Sequence, residues 1–338
     1  MDEHYTMNYI KVSIVIPVYN VSNYIEGCIL SVMKQTYPHI ECIIVDDATP
    51  DDSIEKCERL IANYRGSISF EIIRQEQNCG QSAARNKGID LATGEYVYFL
   101  DSDDEITPDC IEKLAKPLIN DRSIEMSQGN FVWFKKNGKT PSPVINIPVQ
   151  GCNINTYEAA RKCFFEDKMP YAWNKLISKS FLNQNQFRFK EGILWEDVLW
   201  LHYFAKKLHH IYLLPDVTYL YYRRPHSTTT GMAREEKIKH YAIVYDEITN
   251  NLTPGEEDKE ALLYLPPFCD RYLVSRGDSR LQHAYSVFYK ALSDGGHQKA
   301  LRRLKTVRFI SKHTVTRWLF EIALKIYHFY QDVTFLKK

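Results

Sequence analysis

Short β-branched runs alternate with helix-period segments through the first hundred residues, and this alternation most narrows the folds open to the chain. Val12-Ser13-Ile14-Val15-Ile16 is the first run, ended by Pro17. Helical spacing follows from Ser22 to Gln35, with Ile25, Cys28, Ile29 and Val32 on one face. Ile40 to Val45 is a second apolar run, closed by Asp46-Asp47. Ser53 to Tyr64 is helical again, with Asp51 or Asp52 as its cap. Phe70 to Ile73 reads as a third strand, Gln81 to Leu91 as a third helix, and Tyr96 to Leu100 as a fourth strand ending at Asp101. Strands alternating with helices of this length predict an α/β fold, a parallel sheet covered on both faces. In open sheets of this kind ligands bind beyond the carboxyl ends of the strands. The polar residues fall there: Pro17-Val18-Tyr19-Asn20, Asp46-Asp47 and Asp101-Ser102-Asp103-Asp104. These loops are expected to share one crevice.

The acidic residues need a chemical explanation. Three carboxylates within Asp101-Ser102-Asp103-Asp104 repel one another, and a hard divalent cation, Mg²⁺ or Mn²⁺, relieves that repulsion by oxygen ligation. The plainer alternative is charge complementary to the dipole of a helix after Thr107-Pro108. Asp46-Asp47 suit the N–H of a base or the hydroxyls of a ribose, or else cap the Ser53 helix. Asn78-Cys79-Gly80 with Ser82-Ala83-Ala84-Arg85-Asn86 forms a third polar group. There Gly80 relaxes the turn, and Arg85 either pairs with a phosphate or is an ordinary surface arginine.

The combination, in order and spacing, resembles the family 2 inverting glycosyltransferases of the GT-A fold. The matching segments are Val12 to Asn20, Ile43-Ile44-Val45-Asp46-Asp47, Asn78-Cys79-Gly80 with Ala84-Arg85-Asn86-Lys87-Gly88, and Gly94 to Asp104. The match runs over residues 10–120 and continues more weakly to about residue 230. It implies a Rossmann-like, mostly parallel central sheet flanked by helices. It also implies a nucleotide-sugar site at Pro17, Tyr19, Asn20, Asp46, Asp47, Asn78, Gly80, Arg85, Asp101, Ser102 and Asp104. Within the D-x-D element, Asp103 is implied as the direct ligand of Mn²⁺ or Mg²⁺, with Asp101 at the ribose or the metal and Asp104 orienting the site or touching the donor sugar. The family's Gly-Ser after the aspartate pair is Ala48-Thr49 here.

Glycosyl transfer requires a group that removes the acceptor's proton. Glu191-Gly192-Ile193-Leu194-Trp195-Glu196-Asp197 resembles the family's E-D element opening a helix. The resemblance makes Asp197 the general base and Glu196 the alternative; without it, two acids at a helix start are simply good N-terminal residues. Trp195 is a candidate sugar-stacking residue or a core residue. Tyr171-Ala172-Trp173-Asn174-Lys175 is family-like too, with Trp173 on the acceptor side and Lys175 either an anion or sugar contact or a snorkelling lysine on a buried strand. Tyr221 to Thr229 resembles a loop closing over the diphosphate, with Arg223, His226 and Ser227 as donors and His226 as a further metal ligand.

The charge is unevenly spread. Lys+Arg 43 against Asp+Glu 42 gives a net charge of +1, which argues against a bulk electrostatic nucleic-acid binder. From His297 to Lys338, however, ten basic and two acidic residues give +8, leaving 33 basic and 40 acidic residues, −7, in the remainder. Val315, Trp318, Leu319, Ile322, Ile326 and Phe329 share a helical face among Arg302, Arg303, Lys305, Arg308, Lys312, Arg317 and Lys325. Such a segment suits an anionic membrane surface. The alternative is a helix pair docked on the protein's own domain or on another copy, in a homo-oligomer. Helical periodicity also covers Met232–Leu252 and Asp270–Leu292.

Two domains are therefore expected. Residues 1–230 form the transferase, with a donor half at about 10–120 and an acceptor half at about 121–230, and residues 231–338 form a helical C-terminal extension. The eight cysteines lack C-x-x-C spacing, which argues against structural zinc and suits reduced thiols in the cytoplasm. Met1 to Lys11 lacks an apolar run, and no uninterrupted apolar stretch is long enough to span a bilayer. The expected location is cytoplasmic, at most peripheral on the inner face of the membrane. The expected activity is metal-dependent transfer of a sugar, from a UDP-sugar, to a hydroxyl of a glycan or lipid-linked glycan. The alternatives are a sugar-phosphate nucleotidyltransferase and a non-catalytic glycan- or membrane-binding module of the same fold.

Overall fold

The structure, a computed structural model, describes residues 9–134, 151–156, 159–160, 171–222, 233–257, 259–261, 264, 268–269 and 278–312. The chain divides into two compact units, Met1–Gly231 and Met232–Lys338.

In the first unit the alternating segments become β1 (Val12–Val18), α1 (Ile25–Met33), β2 (Ile40–Asp46), α2 (Ser53–Asn63), β3 (Ser69–Arg74), α3 (Gln81–Leu91) and β4 (Tyr96–Phe99). Helix α1 starts at Ile25 rather than Ser22 because the Tyr24 and Ile25 N–H groups both turn back onto the Val21 carbonyl. Asp51, not Asp52, serves the start of α2: its carboxylate accepts from the Ser53 N–H at 3.2 Å. There follow β5 (Glu105–Ile106), α4 (Cys110–Asn120), β6 (Met126–Phe134), β7 (Cys152–Ile154), β8 (Lys175–Ser178), α5 (Lys179–Gln184), α6 (Glu196–Ala205) and β9 (Ile211–Tyr222).

The strands form one sheet in the order β3-β2-β1-β4-β8-β6-β9-β5, with β7 on β9. The front four strands are parallel, as βαβ crossovers require. Beyond β4 the sheet becomes mixed: β8 runs antiparallel to β4 and β6, β9 is parallel to β6, and β5 and β7 are antiparallel to β9. The parallel arrangement expected of the first hundred residues is thus present throughout them, and the later strands make the whole sheet mixed. Because β8 is reversed, its first residue, Lys175, lies at the carboxyl end of β4, so the rim after β1, β2 and β4 also receives the start of β8.

Core packing explains the strand sequences. Val12, Ile14, Val15, Ile16, Ile44 and Val45 are fully buried, the pattern of strands covered on both faces. Helix α3 lies close on β1 because Gly88 has no side chain; a Cβ there would collide with the Val15 side chain.

The second unit contains α7 (Arg234–Asn250), α8 (Ser279–Asp294) and α9 (Gln298–Lys312). Asp278 caps α8 by accepting from the Arg280 and Leu281 N–H groups. Leu281, Ala284, Phe288 and Leu292 of α8 and Leu301, Leu304 and Val307 of α9 are buried. The apolar face read from Val315 to Phe329 lies outside the described residues. Among the described residues no helix is long and apolar enough to cross a membrane. All seven described cysteines are free thiols; Cys163 lies outside the described residues.

Candidate active site

The loops after β1 and β2 are tied together. The Asp47 N–H donates to the Val18 carbonyl at 3.0 Å, and the Asn20 N–H to Thr49 Oγ1 at 2.8 Å. Asp46 Oδ1 accepts from the Thr49 N–H at 2.8 Å. Asp47 does not cap α2. Its two oxygens accept from the Cys79 N–H at 2.7 Å, the Gly80 N–H at 2.8 Å and Gln75 Nε2 at 2.6 Å, so it clasps the Asn78-Cys79-Gly80 turn that opens α3. Burial raises its pKa, and those N–H donors hold the rise back. Pro17 and Val18 close the buried strand β1, and Tyr19, the next residue, is 45% exposed. Ala48 has φ of 54°, in the left-handed region that favours glycine, which costs about 1 kcal/mol for an L-residue. The resembling family's glycine at this position therefore has a backbone reason. Asn20, Asn174, Gln186 and Trp195 also carry positive φ, and of these Asn20, Asn174 and Trp195 adjoin the segments after β1, before β8 and before α6.

The acidic turn after β4 is built into the fold. The Asp104 N–H closes it onto the Asp101 carbonyl at 3.0 Å. Asp104 is 1% exposed; its oxygens accept from the Tyr219 hydroxyl at 2.7 Å and the Tyr222 N–H at 2.8 Å. Burial first, then the charges of Asp103 and Asp101, push its carboxyl well above the usual range. Ser102 is buried within the turn. Among the described residues no group of three or more His, Cys, Asp or Glu is gathered to hold a metal by itself. The donor chemistry nonetheless fits a hard cation. Carboxylate oxygens predominate, the charges of Asp103 and Asp101 press on the buried Asp104, and Mg²⁺ or Mn²⁺ ordinarily takes its remaining ligands from water and phosphate.

Arg85 differs from its surface reading. It is 3% exposed, with Nη2 donating to Asp101 Oδ1 at 2.7 Å and Nη1 to Glu196 Oε1 at 2.8 Å. Burial pulls its pKa down, but Asp101 and Glu196 reverse that to a net rise. Its guanidinium lies 5.2 Å from the Phe189 ring centroid, and Asn86 holds the Phe189 backbone through both its N–H and carbonyl. Helix α3 thereby fixes the segment leading into α6. Asp197, the second residue of α6, is half-buried and accepts from its neighbour's Val198 N–H at 2.8 Å. Burial, then the Glu196 charge, pushes its carboxyl up to about 7, against the opposing pull of Arg85. A carboxylate so tuned suits proton abstraction at neutral pH.

Lys175 is also not a surface contact. It is 1% exposed and donates to the Tyr171 and Trp173 carbonyls, and burial lowers its pKa to about 7, with the Asp197 charge opposing the fall. Its ammonium does not snorkel to solvent. Trp173 is 5% exposed, stacked between Tyr171 at 4.5 Å and Tyr219 at 4.3 Å, and so part of an aromatic layer rather than an open platform. Trp195 is half-buried at the start of α6.

The structure thus brings Asp101, Arg85, Glu196 and Asp197 into one electrostatic cluster, within reach of the Lys175 charge, and hangs the Asp46-Asp47 and Asn78-Gly80 turns on neighbouring strand ends. Arg223, His226 and Ser227 lie outside the described residues. Sequence reading missed Gln75, Thr49, Asn86, Phe189, Tyr219 and Tyr222, which hold the functional loops. Asn86 sits inside the family-like Ala84-Arg85-Asn86-Lys87-Gly88 segment, and Tyr219 and Tyr221 alternate along a strand, but nothing local reveals their partners.

Comparison with known proteins identifies the family and the fold. The family model described as glycosyl transferase family 2 matches residues 13–185, just over half of the chain. The chain is 26% identical over 245 residues to the uncharacterized glycosyltransferase YibD of Escherichia coli, covering 72% of this chain and 70% of that one. The fold is similar to that of Staphylococcus aureus TarS 1–349 in complex with UDP-GlcNAc, with a TM-score of 0.63, 21% identity, and 90% and 92% of the two chains covered. It is also similar to the mannosyltransferase PcManGT of Pyrobaculum calidifontis in complex with GDP-Man and Mn²⁺, with a TM-score of 0.56, 14% identity, and 92% and 86% covered.

Proposed function

The chain belongs to glycosyl transferase family 2, and from that premise we propose that it is a metal-dependent inverting enzyme. It moves a sugar from a UDP-sugar to a hydroxyl of a glycan or lipid-linked glycan, with Asp197 as general base. The observation that carries the reading is the single guanidinium of Arg85 spanning Asp101 at 2.7 Å and Glu196 at 2.8 Å. Donor-side turn and base-side helix therefore stand one side chain apart. The donor half covers about residues 10–120 and the acceptor half about 121–230. Asp46 and the Tyr19 loop receive the base and ribose, and Asp101 and Asp103 lie where the diphosphate arrives, with Asp103 the direct protein ligand of Mn²⁺ or Mg²⁺. When bound, that cation supplies positive charge against the departing diphosphate. Asp197 accepts the acceptor's proton as its oxygen attacks the anomeric carbon from the face opposite the diphosphate. One displacement inverts that carbon and needs no enzyme nucleophile. Support for uridine comes from the TarS complex with UDP-GlcNAc, and support for a metal from the PcManGT complex with Mn²⁺.

A panel of UDP-, GDP- and dTDP-sugars, each with and without Mn²⁺, tests the reading by thermal shift and slow donor hydrolysis. A UDP-sugar should raise Tm and be hydrolysed only with the cation. A panel in which no nucleotide sugar is stabilising would contradict the reading.

The second unit supplies a membrane contact in this proposal. Lys299, Arg302 and Arg303 are exposed on α9 away from its buried face, Lys305 and Arg308 are exposed but lie over the Tyr289 and Tyr285 rings of α8 at 5.7 and 4.9 Å, and Phe309 is 58% exposed. Basic residues near an anionic surface contribute about 1 kcal/mol each, and an exposed aromatic adds apolar insertion. The protein should co-sediment with vesicles containing phosphatidylglycerol and not with phosphatidylcholine alone. Equal recovery in the supernatant with both would remove the membrane from the proposal, and self-association in the same runs would favour contact with a second copy.

A further inference from the structure

We propose that Arg85 is a positioning residue rather than a donor contact: it locks the Asp101 turn to the Glu196 end of α6 and so holds Asp197 in register with the donor. This rests on Asp197 being the base. Both terminal nitrogens of Arg85 are taken by carboxylates of the protein itself, at 2.7 and 2.8 Å, and the side chain is 3% exposed. These bonds use two of the guanidinium's five N–H groups; its burial and the two carboxylates already beside it, rather than a shortage of donors, set it against a phosphate. Its Nε, buried, has no hydrogen-bond partner, a cost that both charged bonds offset. Arginine is the one side chain whose rigid fork reaches two carboxylates on separate elements while keeping its charge when buried. The two it joins are far apart in sequence, 16 and 111 residues away. The adjacent Asn86 pins the Phe189 backbone, so two successive residues of α3 fix the approach to α6.

The electrostatic consequence has a sign. The groups acting on Asp197 are Glu196 and the Val198 N–H on its own helix, Arg85 from α3, Asp101 from the turn after β4, and Lys175 from β8. Burial and the charges of Glu196 and Asp101 favour the protonated form; Arg85 and the Val198 N–H favour the carboxylate. Removing Arg85 should therefore leave the base protonated to higher pH. Neutralising Glu196 should do the reverse.

The test measures kcat, KM and Mn²⁺-dependent UDP affinity across pH for Arg85→Lys, Arg85→Met and Glu196→Gln, with Tm recorded for each. In Arg85→Met the acid limb of the pH–rate profile should move up by about one unit or more. In Glu196→Gln it should move down. UDP affinity should stay within a few-fold in both arginine variants, with the loss falling on kcat. Arg85→Lys keeps a charge but not the fork, so its limb should return toward that of the wild type while kcat stays low. If Arg85→Met does not fold, Arg85→Lys and Glu196→Gln still decide the matter through their kcat and pH limbs. A loss of UDP affinity of about tenfold or more with an unmoved limb would make Arg85 a donor contact and overturn the proposal. Shifts of the same sign in Arg85→Met and Glu196→Gln would overturn it as well. Full turnover by Asp197→Asn would instead strike the base assignment, a separate result.

Discussion

Asp197→Asn should lower kcat by about 10²- to 10⁴-fold, the usual contribution of a general base, while leaving UDP binding unchanged. The isosteric amide keeps an oxygen to accept the Val198 N–H, so α6 should start as before. In the wild type the base must be ionised, and its pKa is pushed up to about 7 by burial and by Glu196. Activity should therefore rise with pH through about 7, flatten above it, and fall about tenfold per unit below; Asp197→Asn should abolish that dependence. The same shift has a stability sign. A carboxyl whose folded pKa exceeds its unfolded value binds more protons when folded, so stability is lost as pH rises from the ordinary carboxylate range through about 7. Asp197→Asn removes that loss and should melt higher than the wild type at pH 7 and above. A variant that is both active and less stable would contradict the role and its cause together.

The second large effect lies in the acidic turn, where neighbouring aspartates should separate. Asp103→Ala should abolish Mn²⁺-dependent UDP binding and transfer, with Tm little changed. Asp104→Ala should lower Tm. It orphans the Tyr219 hydroxyl and the Tyr222 N–H, both held now at 2.7 and 2.8 Å, at about 1–3 kcal/mol for each buried donor left unpaired. Calorimetry with UDP and Mn²⁺, beside thermal melts of both variants, distinguishes them. Retained cation-dependent UDP binding in Asp103→Ala would remove it as the metal ligand.

How much of this was legible in the sequence depends on the range of the interaction. Helix α3 runs over Gln81–Leu91, as its spacing predicts. The front strands fall where their β-branched runs lie, and their ends carry the acidic loops. Asp46 and Asp47 looked equivalent, yet one N–H turn decided between them: Asp47 clasps Cys79 and Gly80. The burial of Arg85 was not legible, and an ordinary surface arginine stayed open, because its partner Glu196 is 111 positions away. Lys175 looked accessible because nothing nearby in the chain reveals that β8 enters the sheet reversed, between β4 and β6.

The chain by itself determined the alternating elements, the strand-end chemistry and the family, because hydrophobic period and turn residues act within a few positions of one another. Only the tertiary structure decided which charges meet, which are buried and how far their pKa values move. Those depend on desolvation and on Coulomb energy between residues that the sheet order, rather than the sequence order, makes neighbours.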